Sequence, residues 1–387
     1  MRLAGIVAEF NPLHNGHKYI IDCAKSDGFA VACVISGNFV QRGDCAIIPK
    51  FKRAQTAINV GVDIVCELPV PWSMSTAQNF ALGGVSQLLS LGVSQIYFGS
   101  ECGDVELLKT VAETLISDEF NNQIKEQLDC GLTYAKLRQN VISNMLGDRA
   151  SNVLECPNDT LAVEYICAAK KLGSKVDFKA IKRVGSGHND EIPEDNYSSS
   201  TFIRNKVKTQ EIQCLSQFMP KESLDVLLSS PIADINRIDK AIISRIKQID
   251  SLELSQVPDI SEGLDNLILS RSKDAYSYNA LCEAVKSKRY TMARIRRILL
   301  CAYLGINRDY FLSEPPYLRI LGFSKTGIDL LPKQPIKPII MRVSQISELD
   351  DSCKQLFGLE MKINELYALC LDKPQDFVSE YKEKLIK

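Results

Sequence analysis

Gly5-Ile6-Val7-Ala8-Glu9-Phe10-Asn11-Pro12-Leu13-His14-Asn15-Gly16-His17 lies almost at the start of the chain, and its reading decides the fold. Leu3 to Ala8 is apolar throughout instead of alternating, the pattern of a strand buried on both faces of a parallel sheet. Pro12, Asn15 and Gly16 punctuate a loop, and His17 to Lys25 has a helical pattern. A strand–loop–helix of this kind sits at the carboxyl end of a parallel strand, where open α/β sheets bind ligands. The helix start offers unpaired backbone N–H groups and the positive end of the helix dipole, a seat for phosphates. Gly16 lets the backbone approach a ligand closely. His14 and His17 can share one face of the first turn and donate hydrogen bonds to charge building on a transferring phosphate. The plainer reading of the pair is helix capping or solvation. Neither a Walker sequence nor G-x-G-x-x-G is present.

Outward from this stretch, Phe29 to Ser36, Asp63 to Leu68, Gln95 to Phe98 and Phe178 to Val184 read as further strands. Helical patterns at Lys50 to Val60, Ser75 to Leu91 and Val105 to Leu115 alternate with them, which predicts a doubly wound, Rossmann-like α/β domain over residues 1–210. A helical insertion is expected at about 120–172. Residues 211–387 read as a mainly α-helical C-terminal region, with Ile235 to Ile249 and Thr291 to Leu304 the clearest amphipathic stretches. Leu318 to Met341, broken by Gly and Pro, suggests a small sheet element, and the last thirty residues look helical.

The chain has 387 residues, 45% hydrophobic and 24% charged, with a formal net charge of −1. Such a composition excludes disordered, collagen-like and coiled-coil classes and a uniformly basic nucleic-acid binder, but not a local basic patch. The 13 cysteines form no C-x-x-C and are read as reduced thiols filling cores, and with only 3 histidines no zinc site is expected. No signal peptide or membrane span is legible, so a cytoplasmic location is expected.

A second hydroxyl-rich stretch, Ser198-Ser199-Ser200-Thr201-Phe202-Ile203-Arg204, places hydroxyls at a helix start and an arginine one turn later. Alone this is more often an N-cap; beside the first motif it reads as a second phosphate grip. His14-Asn15-Gly16-His17 resembles the H-x-G-H signature of nucleotidyltransferases related to class I aminoacyl-tRNA synthetases. Ser198 to Arg204 resembles their I-S-S-T-x-I-R signature, with Ser198 in place of an aliphatic residue. Ser36 to Gly43, Phe98 to Glu101, Pro157 to Leu161 and Lys288 to Thr291 narrow the resemblance to the bacterial tRNA(Met) cytidine acetate ligases.

That resemblance implies activation of acetate by ATP to acetyl-adenylate, then acetylation of N4 of the wobble cytidine in elongator tRNA(Met). It implies an ATP site of Val7 through Lys18, Tyr19 and Ile20, with Gly99, Asn158 and Arg183; Asn158 can equally be a helix cap. His14, His17 and Arg204 would be catalytic, Ser199, Ser200 and Thr201 would contact the leaving pyrophosphate, and Mg²⁺ is expected with the triphosphate without a dedicated protein site. Gln41, Arg42, Lys50, Lys52 and Arg53 can reach phosphate or tRNA, or lie on a solvated helix face. His188 has no assigned role. Between Arg271 and Leu300, Arg271, Lys273, Lys286, Lys288, Arg289, Arg294, Arg296 and Arg297 outnumber Asp274 and Glu283, with Tyr276, Tyr278 and Tyr290 interleaved. The run suits tRNA contact and base stacking, or else a solvated face. Two other functions compete: a small-molecule adenylyltransferase or pantothenate-synthetase-like ligase without RNA, and a non-catalytic tRNA-binding adaptor.

Overall fold

β1 (Leu3–Ala8) leads into α1 (Asn15–Ser26) and β2 (Ala30–Ser36) in a computed structural model that describes residues 1–127, 132–183, 196–261 and 263–387. His188 and Cys130 lie outside the described residues. A small hairpin, β3 (Phe39–Val40) and β4 (Asp44–Cys45), precedes α2 (Lys50–Asn59). There follow β5 (Ile64–Leu68), β6 (Gln95–Ser100), β7 (Asp177–Lys182), β8 (Leu318–Phe323) and β9 (Ile339–Ile340). Among the described residues seven strands form one sheet, in the order β7-β6-β1-β2-β5-β8-β9. The first five in that order run parallel.

Two covering layers explain why the inner strands are apolar throughout. Alternate residues point to opposite faces. Leu3, Ala30, Ala32 and Val34 pack into one core with the helices Ala77–Ser90 and Pro157–Lys171. Ala4, Ile6, Val31, Cys33 and Ile35 pack into another with Ile21 and Ala24 of α1 and Phe51 and Ala54 of α2. After β5 the chain crosses back through Ala77–Ser90 and places β6 on the far side of β1, so strand order reverses between them. The expected insertion is helical, with Asp118–Glu126, Tyr134–Leu146 and Pro157–Lys171 its main elements.

A third core joins the helices Asp239–Gln248, Tyr278–Val285 and Met292–Leu304, and Phe39 and Cys45 of the β3–β4 hairpin belong to it. The small sheet element expected near Leu318 is part of the main sheet: β8, buried at every residue, lies antiparallel on β5. It covers what would otherwise be an exposed edge strand, and a local hydrophobic pattern does not name a partner some 250 residues away. The final thirty residues are only partly helical. The helix Asp351–Ala368 ends, and the tail returns to the sheet, where Ile386 N–H donates to the Leu321 carbonyl at 3.1 Å and Phe323 N–H to the Ile386 carbonyl at 3.0 Å. Among the described residues no helix is long and apolar enough to cross a membrane.

The tail also completes a buried ion cluster. Lys50 Nζ lies 2.8 Å from both Glu67 carboxylate oxygens and 2.9 Å from Glu380 Oε2, while Arg319 donates to Glu380 Oε1 at 2.9 Å. Lys50 therefore neither reaches phosphate nor lies on a solvated face. Arg53 is internal as well, donating to the carbonyls of Glu9 at 2.7 Å and Ser36 at 2.9 Å, which fastens the ends of β1 and β2 together. Burial pushes the Glu380 carboxyl up, but Lys50 and Arg319 outweigh it and hold it below its ordinary value. Burial and then the charge of Glu67 push Glu360, in the same cluster, well above the usual carboxylate range. Replacing Glu380 by Gln breaks a buried pair and should cost about 3–5 kcal/mol in urea unfolding. Glu360→Gln removes a carboxyl whose charged form burial and Glu67 both disfavour, and should cost less than Glu380→Gln in the same measurement. The Glu380 contribution is present above the ordinary carboxylate value of 4.5 and is lost as pH falls below it.

Candidate active site

His14 occupies the N-cap of α1 in extended backbone (φ −133°), and the two histidines cap the helix reciprocally. Gly16 N–H donates to His14 Nδ1 at 3.1 Å, and His14 N–H donates to His17 Nδ1 at 3.3 Å. The rings stack, centroids 3.8 Å apart at 27°, and Phe10 lies edge-on to His17 at 5.2 Å. A Cβ on Gly16 would stand 3.0 Å from His14 Cε1 and 3.1 Å from its Nδ1, so a side chain there would crowd the capping ring. Since an Nδ1 that accepts carries no proton, each neutral ring bears its proton on Nε2. Burial, then the Arg183 guanidinium, pushes the His17 pKa down to about 3, so this ring is neutral at pH 7. The capping reading and the donor reading are thus both satisfied, by different nitrogens.

One cavity at the carboxyl edge of the sheet gathers most of the candidate residues. Val7, Ala8, Glu9, Phe10, Asn11, His14, Gly16, His17, Tyr19 and Ile20 line it, as do Gly99, Asn158, Arg183, Ser199, Ser200, Thr201 and Arg204. It lies at the switch point between β1 and β6, the position expected for a ligand in an open α/β sheet. Four residues of the first stretch stay outside its lining. Pro12 and Leu13 are buried, Lys18 pairs with Asp22, and the Asn15 amide donates to the carbonyls of Asn196 and Gln217, both at 2.9 Å.

The second motif is held against the first. Ser199 is the N-cap of the helix Ser200–Lys208, accepting from Phe202 N–H at 3.1 Å. Arg204 donates to the Asn11 carbonyl at 2.7 Å and to Thr201 Oγ1 at 3.1 Å, so the guanidinium ties the two motifs together as well as lining the cavity. Asn158 is fixed through its side-chain amide, which donates to Glu101 Oε1 at 2.6 Å. Among the described residues Glu101, Cys156 and Asp159 are the one group close enough to share a metal ion. Their carboxylate oxygens already accept from the N–H groups of Asn158, Asp159, Glu101 and Cys102, which makes them a clamp between the end of β6 and the helix Pro157–Lys171.

An apolar wall of Phe80, Phe98, Leu161 and Tyr165 was not picked out from sequence, although Asn158, Leu161 and Tyr165 lie at helical spacing on one face. Gln41 and Arg42, at the tip of the β3–β4 hairpin, reach the cavity, while Lys52, half-buried, does not line it. Behind that tip, a Cβ on Gly43 (φ +72°) would stand 2.6 Å from the Arg297 backbone nitrogen, so the hairpin rests directly on the helix Met292–Leu304. The basic run divides in two. Arg271, Lys273, Lys286, Lys288 and Arg289 are exposed; Arg294, Arg296 and Arg297 are half-buried. Arg297 holds the Asp259 carboxylate at 2.8 Å, and Arg294 holds the Asp259 carbonyl at 2.9 Å. Tyr276 is exposed, whereas Tyr278 and Tyr290 are buried in the core.

Residues 1–382 match the family model described as HIGH Nucleotidyl Transferase. The chain is 35% identical to a tRNA(Met) cytidine acetate ligase of Thermoanaerobacter sp. (strain X514), covering 95% of each. It is also 35% identical to one from Clostridium novyi (strain NT), covering 99% of this chain and 98% of the relative. It superposes on the crystal structure of apo Thermotoga maritima TmcAL with a TM-score of 0.94 at 30% identity, covering 100% of this chain and 99% of that one. A second crystal structure, of TmcAL bound with alpha-thio ATP, gives 0.92 at the same identity and coverage. By sequence over its whole length and by the placement of both motifs on one cavity, the chain belongs to the HIGH nucleotidyl transferase family and, within it, to the tRNA(Met) cytidine acetate ligases.

Proposed function

We propose that this chain joins acetate to ATP as acetyl-adenylate and transfers the acetyl group to N4 of the wobble cytidine in elongator tRNA(Met). The observation that carries the reading is the stacked pair of imidazoles, each with Nδ1 accepting from a backbone N–H, so that the proton of each neutral ring sits on Nε2. Attack of a carboxylate on the α-phosphorus requires positioning and charge neutralisation more than covalent help. The α1 N-terminus and the two imidazoles supply neutral, preorganised donors to the phosphates as charge moves onto the leaving pyrophosphate. Arg183 at the end of β7 and the hydroxyls of Ser199, Ser200 and Thr201 complete the grip, with Arg204 keeping the two motifs in register. Mg²⁺, when bound with the triphosphate, would neutralise phosphate charge; the described residues of the lining present no cluster of carboxylates, consistent with an ion carried mainly by the nucleotide.

The exposed lysines and arginines of residues 271–289 suit a tRNA backbone. This face is what favours an RNA substrate over a small-molecule one, and the intact donor pair favours an enzyme over an adaptor. On this reading the protein works in the cytoplasm, where tRNA is found.

Three outcomes follow. His17→Ala should lower acetate-dependent ATP–pyrophosphate exchange by roughly 10²–10³-fold, as loss of an oxyanion donor does, while tRNA still binds in a filter assay. Exchange at the parental rate would remove His17 from the reaction. Because the ring is neutral, the His17 carbon-bound proton resonances of the free enzyme should not titrate between about pH 5 and 8. Replacing Lys286 and Lys288 together by Ala should weaken tRNA binding and flatten its log–log salt dependence by about 2; an unchanged slope would return that face to plain solvation.

A further inference from the structure

Resting on the acetyl-transfer reading just given, we infer that Glu9 accepts the proton that the cytidine N4 amine sheds when it takes the acetyl group. Glu9 follows β1 directly and lines the cavity half-buried. Its Oε1 accepts from Gln41 N–H at 2.8 Å, and its Oε2 has no hydrogen-bond partner among the described residues. The carboxylate is therefore oriented on one oxygen and available on the other.

The other described groups of the cavity are unsuited to the task. His14 and His17 have each committed Nδ1, the only ring nitrogen able to accept, to a backbone N–H, and present Nε2 as a donor. Arg42, Lys182, Arg183 and Arg204 are donors, and the other polar lining groups among the described residues are amides, hydroxyls and phenols. Among the described residues that line the cavity, Glu9 is the only carboxylate. The first step has no need of a base, since carboxylate attack on a phosphorus releases no proton. The second does, because an amine becomes an amide.

In that second step the N4–carbon bond forms at the acetyl carbonyl, and the carbon–oxygen bond to the adenylate phosphate breaks. The bonding electrons leave on AMP, and one N4 proton passes to Glu9 Oε2 and on to solvent. The amino lone pair of cytosine is delocalised into the ring, so the free amine is a weak base. Once N4 has bonded to carbon it is positively charged and its proton is acidic enough for a carboxylate to take. The backbone N–H that orients Glu9 comes from the β3–β4 hairpin, whose base packs in the helical core and whose tip rests on the helix that bears Arg296 and Arg297. Glu9 is thus aimed by a hairpin seated on the helical region that carries the basic run.

Glu9→Gln keeps an oxygen for the Gln41 N–H and removes the proton acceptor. Two rates on the same holoprotein test the inference: acetate-dependent ATP–pyrophosphate exchange, and single-turnover acetylation of a tRNA(Met) transcript from preformed acetyl-adenylate. Transfer should fall at least ~100-fold relative to exchange. An equal loss in both would assign Glu9 to the phosphates or their Mg²⁺, and undiminished transfer would leave it no proton role; either overturns the inference. Exchange by the parental enzyme with no N4-acetylcytidine in the RNA would instead overturn the transfer reading beneath it.

Discussion

The candidate site depends on a helix that starts soon after the first strand and caps itself with two residues that line the cavity. In the first turn of α1 the main chain leaves N–H groups without intrahelical partners, and two of the N–H groups there are taken up by imidazole nitrogens, at 3.1 and 3.3 Å. This fixes more than the helix end. It sets which nitrogen of each ring is protonated, stacks the rings, and leaves both Nε2 atoms as donors without a charge on His17. A solvated histidine in the same place would carry partial positive charge near neutral pH and would be free to rotate. Neutral, preoriented donors stabilise developing phosphate charge without having to reorganise when it appears.

The cavity is a joint product of two cores. Its floor is the carboxyl edge of β1, β6 and β7, and one wall is the tip of the β3–β4 hairpin, which leaves the sheet to pack among the C-terminal helices. The ends of the chain are joined as firmly. Glu380, from the irregular tail, meets Lys50 of α2 and Arg319 of β8, side chains each no more than 4% exposed. Opposite charges buried at this level are tolerable only when each is matched, and the tail completes the match. The helical region therefore contributes to the sheet edge, the ion cluster and the mouth of the site at once.

How much of this was legible in sequence follows from the range of each interaction. The inner strands, α1 and the helices after β2 and β5 were readable because burial on two faces and one-turn capping are written in consecutive residues. The convergence of His14 and Arg204 came from two motifs nearly two hundred positions apart, and no spacing rule delivers their shared cavity; the resemblance to a family supplied it. Pairing of β8 on β5 was invisible because strand partnership is not a local property. Lys50 and Arg53 were misplaced for a related reason. On α2 they follow a strand, as phosphate-binding residues do, but their partners Glu67 and Glu380 and the carbonyls of Glu9 and Ser36 are assembled only by the tertiary fold. Phe80 and Tyr165 are buried, and the same burial makes them part of the apolar wall of the pocket.

The basic run divides between charges held within the fold and charges left exposed. On the helix Met292–Leu304, Arg294 and Arg297 are three positions apart, share a face and converge on Asp259, whose backbone is held at a φ of +65°. Arg271, Lys273, Lys286 and Lys288, on and between neighbouring elements, remain exposed to solvent. Contacts from flexible side chains to a phosphate backbone contribute affinity and orientation but carry little sequence information. Two of the three tyrosines that alternate with them are buried, so stacking on this face rests on Tyr276. On the proposed function, discrimination must then come from elsewhere: the unpaired loop base has to leave its stack for its exocyclic amine to enter a cavity walled by Phe80, Phe98 and Tyr165. On the same proposal the basic face would bring many RNAs near, and the shape and donor pattern of the cavity would decide which base reacts.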